Sequence, residues 1–311
     1  MKLSVVSTLY QSAPYVEEFH RRASAAAEQL VGQDYEIILV NDGSPDNSLE
    51  IAVNLTKSDP HLVVVDLSRN FGHHKALMTG LSYAKGERVF LIDSDLEEKP
   101  EWLIPFAAQM DQEACDVVYG VQKKRKGSFF ERWSGEVFYW LFRRLTNLDL
   151  PKNILTVRLI SRSYLKAFLF YQEREIFLGG LWHIVGFDQN PHLVEKAFKR
   201  ATTYTIRHKI SLFFSAIVSF SNYPLNLICY TGFLIFFLSS LSICYLLGSY
   251  LFFSRPLRGW TSLMASIWLL GGVIIIFVGV VGLYLSKIFS EVKRRPLTIT
   301  RAIYQRGVLN V

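Results

Sequence analysis

Short apolar runs, each stopped by a cluster of Asp, Asn, Gly or Ser, recur through the first part of the chain. Runs of this length bounded by turn residues predict buried strands, here over residues 3–9, 35–40, 61–67, 89–92 and 116–121. Between them, apolar residues and alanines fall at helical spacing, which predicts helices over 15–31, 49–57, a stretch ending near Ala84, and 100–110. Gly43 suits a tight turn, and Ser44 followed by Pro45 opens the second helix. Strands alternating with helices of these lengths predict an α/β fold with a mostly parallel sheet.

The pattern then changes. Residues 210–254 contain no Asp, Glu, Lys or Arg, and neither do residues 259–286. Each run exceeds the roughly 20 apolar residues that cross a bilayer. Two membrane helices are expected, over 225–253 and 262–289, joined by a loop holding Arg255, Pro256 and Arg258. The net charge of +7 is placed beside them: Lys196, Lys199, Arg200, Arg207 and Lys209 before the first, Lys287, Lys293, Arg294, Arg295 and Arg301 after the second. An excess of Lys and Arg marks the cytoplasmic side, so both termini and the first domain are expected in the cytosol, on the plasma (inner) membrane. Basic residues clustered there point to anionic lipid rather than nucleic acid. Met1-Lys2 leads straight into a strand pattern, unlike a cleavable signal. Cys115, Cys229 and Cys244 show neither disulfide nor metal spacing.

The fourth predicted strand ends in an acidic run, Asp93-Ser-Asp-Leu-Glu-Glu98, with Glu101 close behind. Carboxylates two residues apart at a strand end are oxygen ligands for one hard cation, and ligand crevices of open α/β sheets lie outside the carboxyl ends of strands. A solvated acidic turn is the alternative. Asp42 ends the second predicted strand in the same way. No Gly-x-Gly-x-x-Gly follows any strand, which argues against a dehydrogenase.

Residues 5–10, the Glu36-to-Ser44 stretch ending Asn-Asp-Gly-Ser, Ser68-Arg-Asn-Phe-Gly72, Leu91-Ile-Asp-Ser-Asp-Leu96 with Pro100-Glu101, Arg158-Leu-Ile-Ser-Arg162, Gly186-Phe-Asp-Gln189 and the C-terminal helix pair together resemble family-2 glycosyltransferases of the GT-A fold. Within that family the chain is most similar to the polyprenyl-phosphate glycosyltransferases, such as the undecaprenyl-phosphate sugar transferases and dolichyl-phosphate mannose synthase. The resemblance implies that Asp42, Thr8 and Tyr10 line the nucleotide pocket. It implies that Asp93 and Asp95, with Glu97 where relatives usually carry Gln, hold Mg²⁺ or Mn²⁺ near the donor diphosphate. Glu173 or Glu175 would contact sugar hydroxyls. Many relatives have an acid two positions before the Arg of the Arg-Leu pair, and here that position is Thr156.

A phosphate acceptor removes the need for that acid, because its second pKa is near roughly 6 and it is already an anion. It needs positioning and neutralisation, for which Arg158, Arg162, Arg200, Arg207 and Lys209 are the candidates; a solvated or membrane-facing role is the other reading of each. The expected layout is a catalytic domain over 1–208, an interfacial helix over 209–223 with Ser211, Ser215, Ser219 and Asn222 on one stripe, a two-helix anchor over 224–289, and a tail over 290–311. Lys123-Lys-Arg-Lys126 and the aromatic run after it read either as a solvated basic loop or as a bilayer-surface element. Residues 296–304 read as a strand that pairs with another subunit, and Gly271, Gly272, Gly279 and Gly282 would let the second span pack closely in a homo-oligomer. The expected reaction is inverting transfer of a sugar, UDP-linked by preference, to undecaprenyl phosphate for envelope glycans. The alternatives are transfer to a hydroxyl of a lipid-linked glycan, and an inactive nucleotide-sugar-binding membrane subunit.

Overall fold

The structure, a computed structural model, describes residues 1–122, 144, 153–174, 178–196, 223–253 and 259–310. The expected first elements appear close to their predicted bounds: β1 (Leu3–Leu9), α1 (Val16–Val31), β2 (Tyr35–Asn41), α2 (Ser48–Leu55), β3 (Leu62–Leu67), α3 (His73–Tyr83) and β4 (Arg88–Leu91). A 3₁₀ turn at Pro100–Trp102 leads into α4 (Leu103–Glu113), and β5 (Val117–Gln122) follows. Then come β6 (Ile154–Ser161), α5 (Arg162–Phe168), α6 (Leu178–Ile184), β7 (Gln189–Val194), α7 (Tyr223–Phe253), α8 (Trp260–Val292), β8 (Thr300–Gln305) and β9 (Val308–Asn310).

Among the described residues, the strands form one sheet in the order β7-β5-β6-β4-β1-β2-β3-β8-β9. β4, β1, β2 and β3 are mutually parallel, whereas β6 runs antiparallel to both β4 and β5. Successive side chains of a strand point to opposite faces, and here both faces are covered. Val5, Ile37, Leu39, Val64 and Phe90 pack with Phe19, Ala23 and Phe106 of α1 and α4. Val6, Ile38, Val40, Val65 and Leu91 pack with Ala76, Leu77 and Leu81 of α3. That two-sided burial is why the strands read as unbroken apolar runs. The α/β fold with its mostly parallel sheet is as expected.

The described residues fall into two compact units. The first comprises those up to 122, 153–196 and 295–310; the second comprises Arg144, 223–253 and 259–294. The chain after α8 therefore rejoins the first unit. The expected pairing of residues 296–304 with another subunit is replaced by pairing within the chain, with β8 antiparallel to β3 and Val65 opposite Ile303. In the second unit, Ser266–Val292 is long and apolar enough to cross a membrane, and Tyr223–Ile235 is a shorter apolar stretch. Among the described residues one of the two expected spans thus meets the length and composition test.

Candidate active site

The parallel strands β1, β2, β3 and β4 end on one edge of the sheet, where Leu9 pairs with Asn41 and Asn41 with Asp66. Every residue just past these ends is delivered there. Thr8 is buried and Tyr10 half-exposed at the end of β1. Asp42 follows β2 and is buried; its two carboxylate oxygens accept the backbone N–H groups of Phe71 (2.7 Å) and Gly72 (3.0 Å). Burial pushes the Asp42 pKa up, against those two hydrogen bonds and the nearby His73 and Arg69. Its carboxylate thus fixes the loop between β3 and α3. Gly43, at φ +59, allows this closeness, since a Cβ there would stand 2.4 Å from the Asn70 nitrogen.

The acidic turn after β4 is the electrostatic centre. Asp93 Oδ1 is buried without a hydrogen-bond partner, and His73 Nε2 lies 3.4 Å from it. The other ring nitrogen of His73 is 3.1 Å from Thr8 Oγ1, so one imidazole bridges the ends of β1 and β4. Asp95 accepts the Glu97 N–H at 2.9 Å, closing a tight turn with Leu96 at φ +63. Ser94 points the other way and donates to the Thr8 carbonyl at 2.8 Å. Glu98 is fully buried. Burial first, then the Asp93 charge, drives its pKa upward, and Asp93 is likewise raised by burial and by Asp95. Lys196, just past β7, reaches in with Nζ 3.1 Å from Glu97 Oε2 and 3.8 Å from Glu98 Oε1.

The β4–β6 register decides what stands beside these acids. Leu91 pairs with Arg158, so two residues further on Thr156 falls opposite Asp93. The Thr156 side chain acts to lower the Asp93 pKa, against the larger effect of burial.

Two of the arginines expected at the acceptor phosphate have protein partners in the structure. Arg158 is buried, donates to the carbonyls of Thr156 (3.2 Å) and Leu155 (3.3 Å), and stacks its guanidinium on Trp182. Burial lowers its pKa to about 9. Arg158 therefore supports the floor of the site rather than presenting itself to a ligand. Arg162 lies beyond the Arg88–Ser161 pair, where β4 begins, and donates to the Ala84 carbonyl at 2.6 Å. The antiparallel direction of β6 carries it to the opposite edge of the sheet from Asp93.

Glu173 is half-buried between α5 and α6. Arg200, Arg207, Lys209, Glu175, the Lys123–Lys126 run and the 209–222 stripe lie outside the described residues. Asp93, Asp95 and Glu97 share one turn, yet among the described residues no three His, Cys, Asp or Glu side chains are gathered to hold a metal ion. Glu97 is turned to Lys196 instead. His73, Glu98 and Lys196 are the site residues that the sequence reading did not single out. Glu98 was legible only as one more acid in a run, and Lys196 as one more basic residue near the membrane.

The sequence profile described as glycosyl transferase family 2 matches residues 4–169. A Mycobacterium tuberculosis (strain CDC 1551 / Oshkosh) protein named among glycosyltransferases is 49% identical over 98% of this chain and 89% of its own length. The SfII prophage-derived bactoprenol glucosyl transferase of Shigella flexneri is 32% identical over 97% of this chain and 98% of its own. Among solved structures, S. aureus TarS 1-349 in complex with UDP-GlcNAc aligns with a TM-score of 0.48 at 21% identity, covering 70% of this chain and 66% of that one.

Proposed function

The chain belongs to glycosyltransferase family 2, and on that premise we propose that it transfers a sugar from a nucleotide donor, UDP-linked by preference, to a polyprenyl phosphate such as undecaprenyl phosphate. One observation carries the reading: Asp93 and Asp95 stand at the carboxyl edge of the sheet in a chain that matches a bactoprenol glucosyl transferase almost end to end.

The donor set fits a hard cation. Two carboxylates lie two residues apart, and Asp93 Oδ1 is buried without a hydrogen bond, an arrangement of oxygen ligands that suits Mg²⁺ or Mn²⁺. Asp93, Asp95 and Glu97 would hold the ion. Bound there, it would neutralise charge on the donor diphosphate as the sugar leaves. Thr8, Tyr10 and the loop fixed by Asp42 line the nucleotide pocket, and Glu173 contacts the sugar.

The acceptor phosphate oxygen attacks the anomeric carbon, the bond to the diphosphate breaks, and configuration inverts. No proton has to leave the nucleophile, which fits Thr156 rather than an acid opposite Asp93. Arg200, Arg207 and Lys209 neutralise the acceptor phosphate. The charge-free run from 210 and the apolar composition of 224–289 support an interfacial segment and a two-span anchor, with the site in the cytosol on the inner (plasma) membrane; residues 209–222 lie outside the described residues. The exposed apolar side chains of α8, among them Leu269 and Ile275, face lipid. The product is a lipid-linked sugar for envelope glycans.

The test uses purified chain in detergent with Mn²⁺, undecaprenyl phosphate and radiolabelled nucleotide sugars. Label should enter the lipid phase, and Asp95→Ala should abolish it. Donor hydrolysis without lipid product would move the acceptor to a glycan hydroxyl. Absence of donor binding across all nucleotide sugars would favour an inactive relative.

A further inference from the structure

The acidic turn places Asp93, Asp95, Glu97 and Glu98 within six residues. Mutual repulsion of that kind needs a cation nearby, and two side chains from distant elements supply candidates: His73 from α3 and Lys196 from the segment after β7. Lys196 is the stronger of the two. It is half-buried, with Glu97 and Glu98 both within ion-pair distance. Glu98 has no exposed surface, and its Oε1 has no hydrogen-bond partner. The guanidinium of Arg158 feels Glu98 electrostatically, but two of its N–H groups are given to backbone carbonyls. Burying acids together without compensation is strongly disfavoured; Glu98 answers in part through its raised pKa, and the ammonium of Lys196 supplies positive charge beside Glu97 and Glu98.

We propose that Lys196 is a tethered counter-ion of the acidic turn, exchanged for the divalent cation when the donor binds. The inference rests on the reading of Asp93, Asp95 and Glu97 as cation ligands given above. The Lys196 pair explains why those three side chains are not gathered to a point: Glu97 Oε2 is committed to Nζ at 3.1 Å. An ammonium and a dication on the same carboxylate repel each other, so ligation through Glu97 requires the ion pair to open. Lys196 then lowers the affinity of the turn for a bare cation and favours one that arrives with a diphosphate, whose own negative charge offsets the loss of the ammonium. Once released, Lys196 remains tethered to β7 beside the site.

Binding of Mn²⁺ alone, read as loss of the free-ion paramagnetic resonance signal, separates the possibilities without any turnover measurement. The full chain is titrated in detergent as wild type, Lys196→Met, Lys196→Arg and Asp95→Asn. Lys196→Met should bind Mn²⁺ about fivefold tighter than wild type, the upper scale of one partly exposed ion pair removed. Lys196→Arg keeps the charge and should stay near wild type, and Asp95→Asn should bind more weakly. In the same samples, Mn²⁺ should raise the Tm of Lys196→Met more than that of wild type. Lys196→Gln serves the same comparison should the methionine variant not fold. If wild type binds Mn²⁺ and Lys196→Met binds it equally or less well, the exchange is overturned while the cation site stands. If neither binds, both readings fall.

Discussion

Asp46 is the hub of a small net at the carboxyl edge of the sheet. Its carboxylate accepts Ser44 Oγ, Ser48 Oγ, the Ser48 N–H and the Ala13 N–H, so the loops after β1 and β2 are tied together. Burial alone would raise its pKa, but those hydrogen bonds outweigh it and bring the group from an ordinary 3.8 down to about 2. A folded-state pKa below the unfolded one means the folded protein binds the proton more weakly. The stability this provides is therefore complete above about pH 4 and is lost as pH falls through about 2. Comparing the Tm of wild type with that of Asp46→Asn across this range gives the check. The gap should be constant above pH 4 and should narrow toward pH 2, whereas a gap indifferent to pH would remove the carboxylate from this role. At the same scale, the position of Asp93 and Asp95 past a strand end was legible because they close an apolar run. The surroundings of Arg158 were not legible, because sequence shows that a residue is charged, not that its guanidinium will meet carbonyls and an indole face. Lys196 was hidden for the converse reason, since its partners lie about a hundred positions away.

Strand direction explains most of what was illegible in the elements. β1 to β5 are buried on both faces, so composition announces them. β6 alternates Thr156 and Arg158 with apolar residues, and β7 contains Pro191 and His192, features that tertiary pairing overrides. Nothing local says that β6 runs antiparallel between β4 and β5, yet that fact brings Thr156 to Asp93 and carries Arg162 away. β8 poses a related case. Its Arg301 donates through Nε to Asp66 Oδ2 at 2.7 Å, while Asn41 serves Oδ1 at 2.8 Å. Asp66 is 1% exposed, so removing Arg301 leaves half of a buried carboxylate unpaired. Arg301→Ala should cost about 1–3 kcal/mol in chemical denaturation. Adding Asp66→Asn should restore part of that loss, because the two residues share one interaction. Strict additivity of the two substitutions would show that the ion pair contributes nothing.

At the scale of the whole chain, the sequence order and the structural units disagree in one place, and the disagreement is testable. The residues after α8 belong with the catalytic unit. There the Ile299 carbonyl accepts the Ser68 N–H at 2.9 Å, Thr298 meets Thr79 at 2.6 Å, and β8 covers the flank of β3. Ser68 begins the loop whose far end is held by Asp42, so the last strand supports that loop at the carboxyl edge of the sheet. A chain ended before Tyr223 would lose the apolar helices and also this strand, leaving β3 as an open edge with unpaired backbone groups and Asp66 without Arg301. Such a chain should melt lower than the intact protein and bind nucleotide more weakly. A synthetic peptide of residues 296–311 added in trans should raise its Tm in a saturable way, because the peptide binds only the folded sheet. The same peptide carrying Arg301→Ala should raise it less. A shortened chain that melts like the intact one and ignores the peptide would mean that β8 is an ornament on the sheet. The expected rescue would make the C-terminal strand part of the catalytic domain, reached only after the chain has passed through α7 and α8.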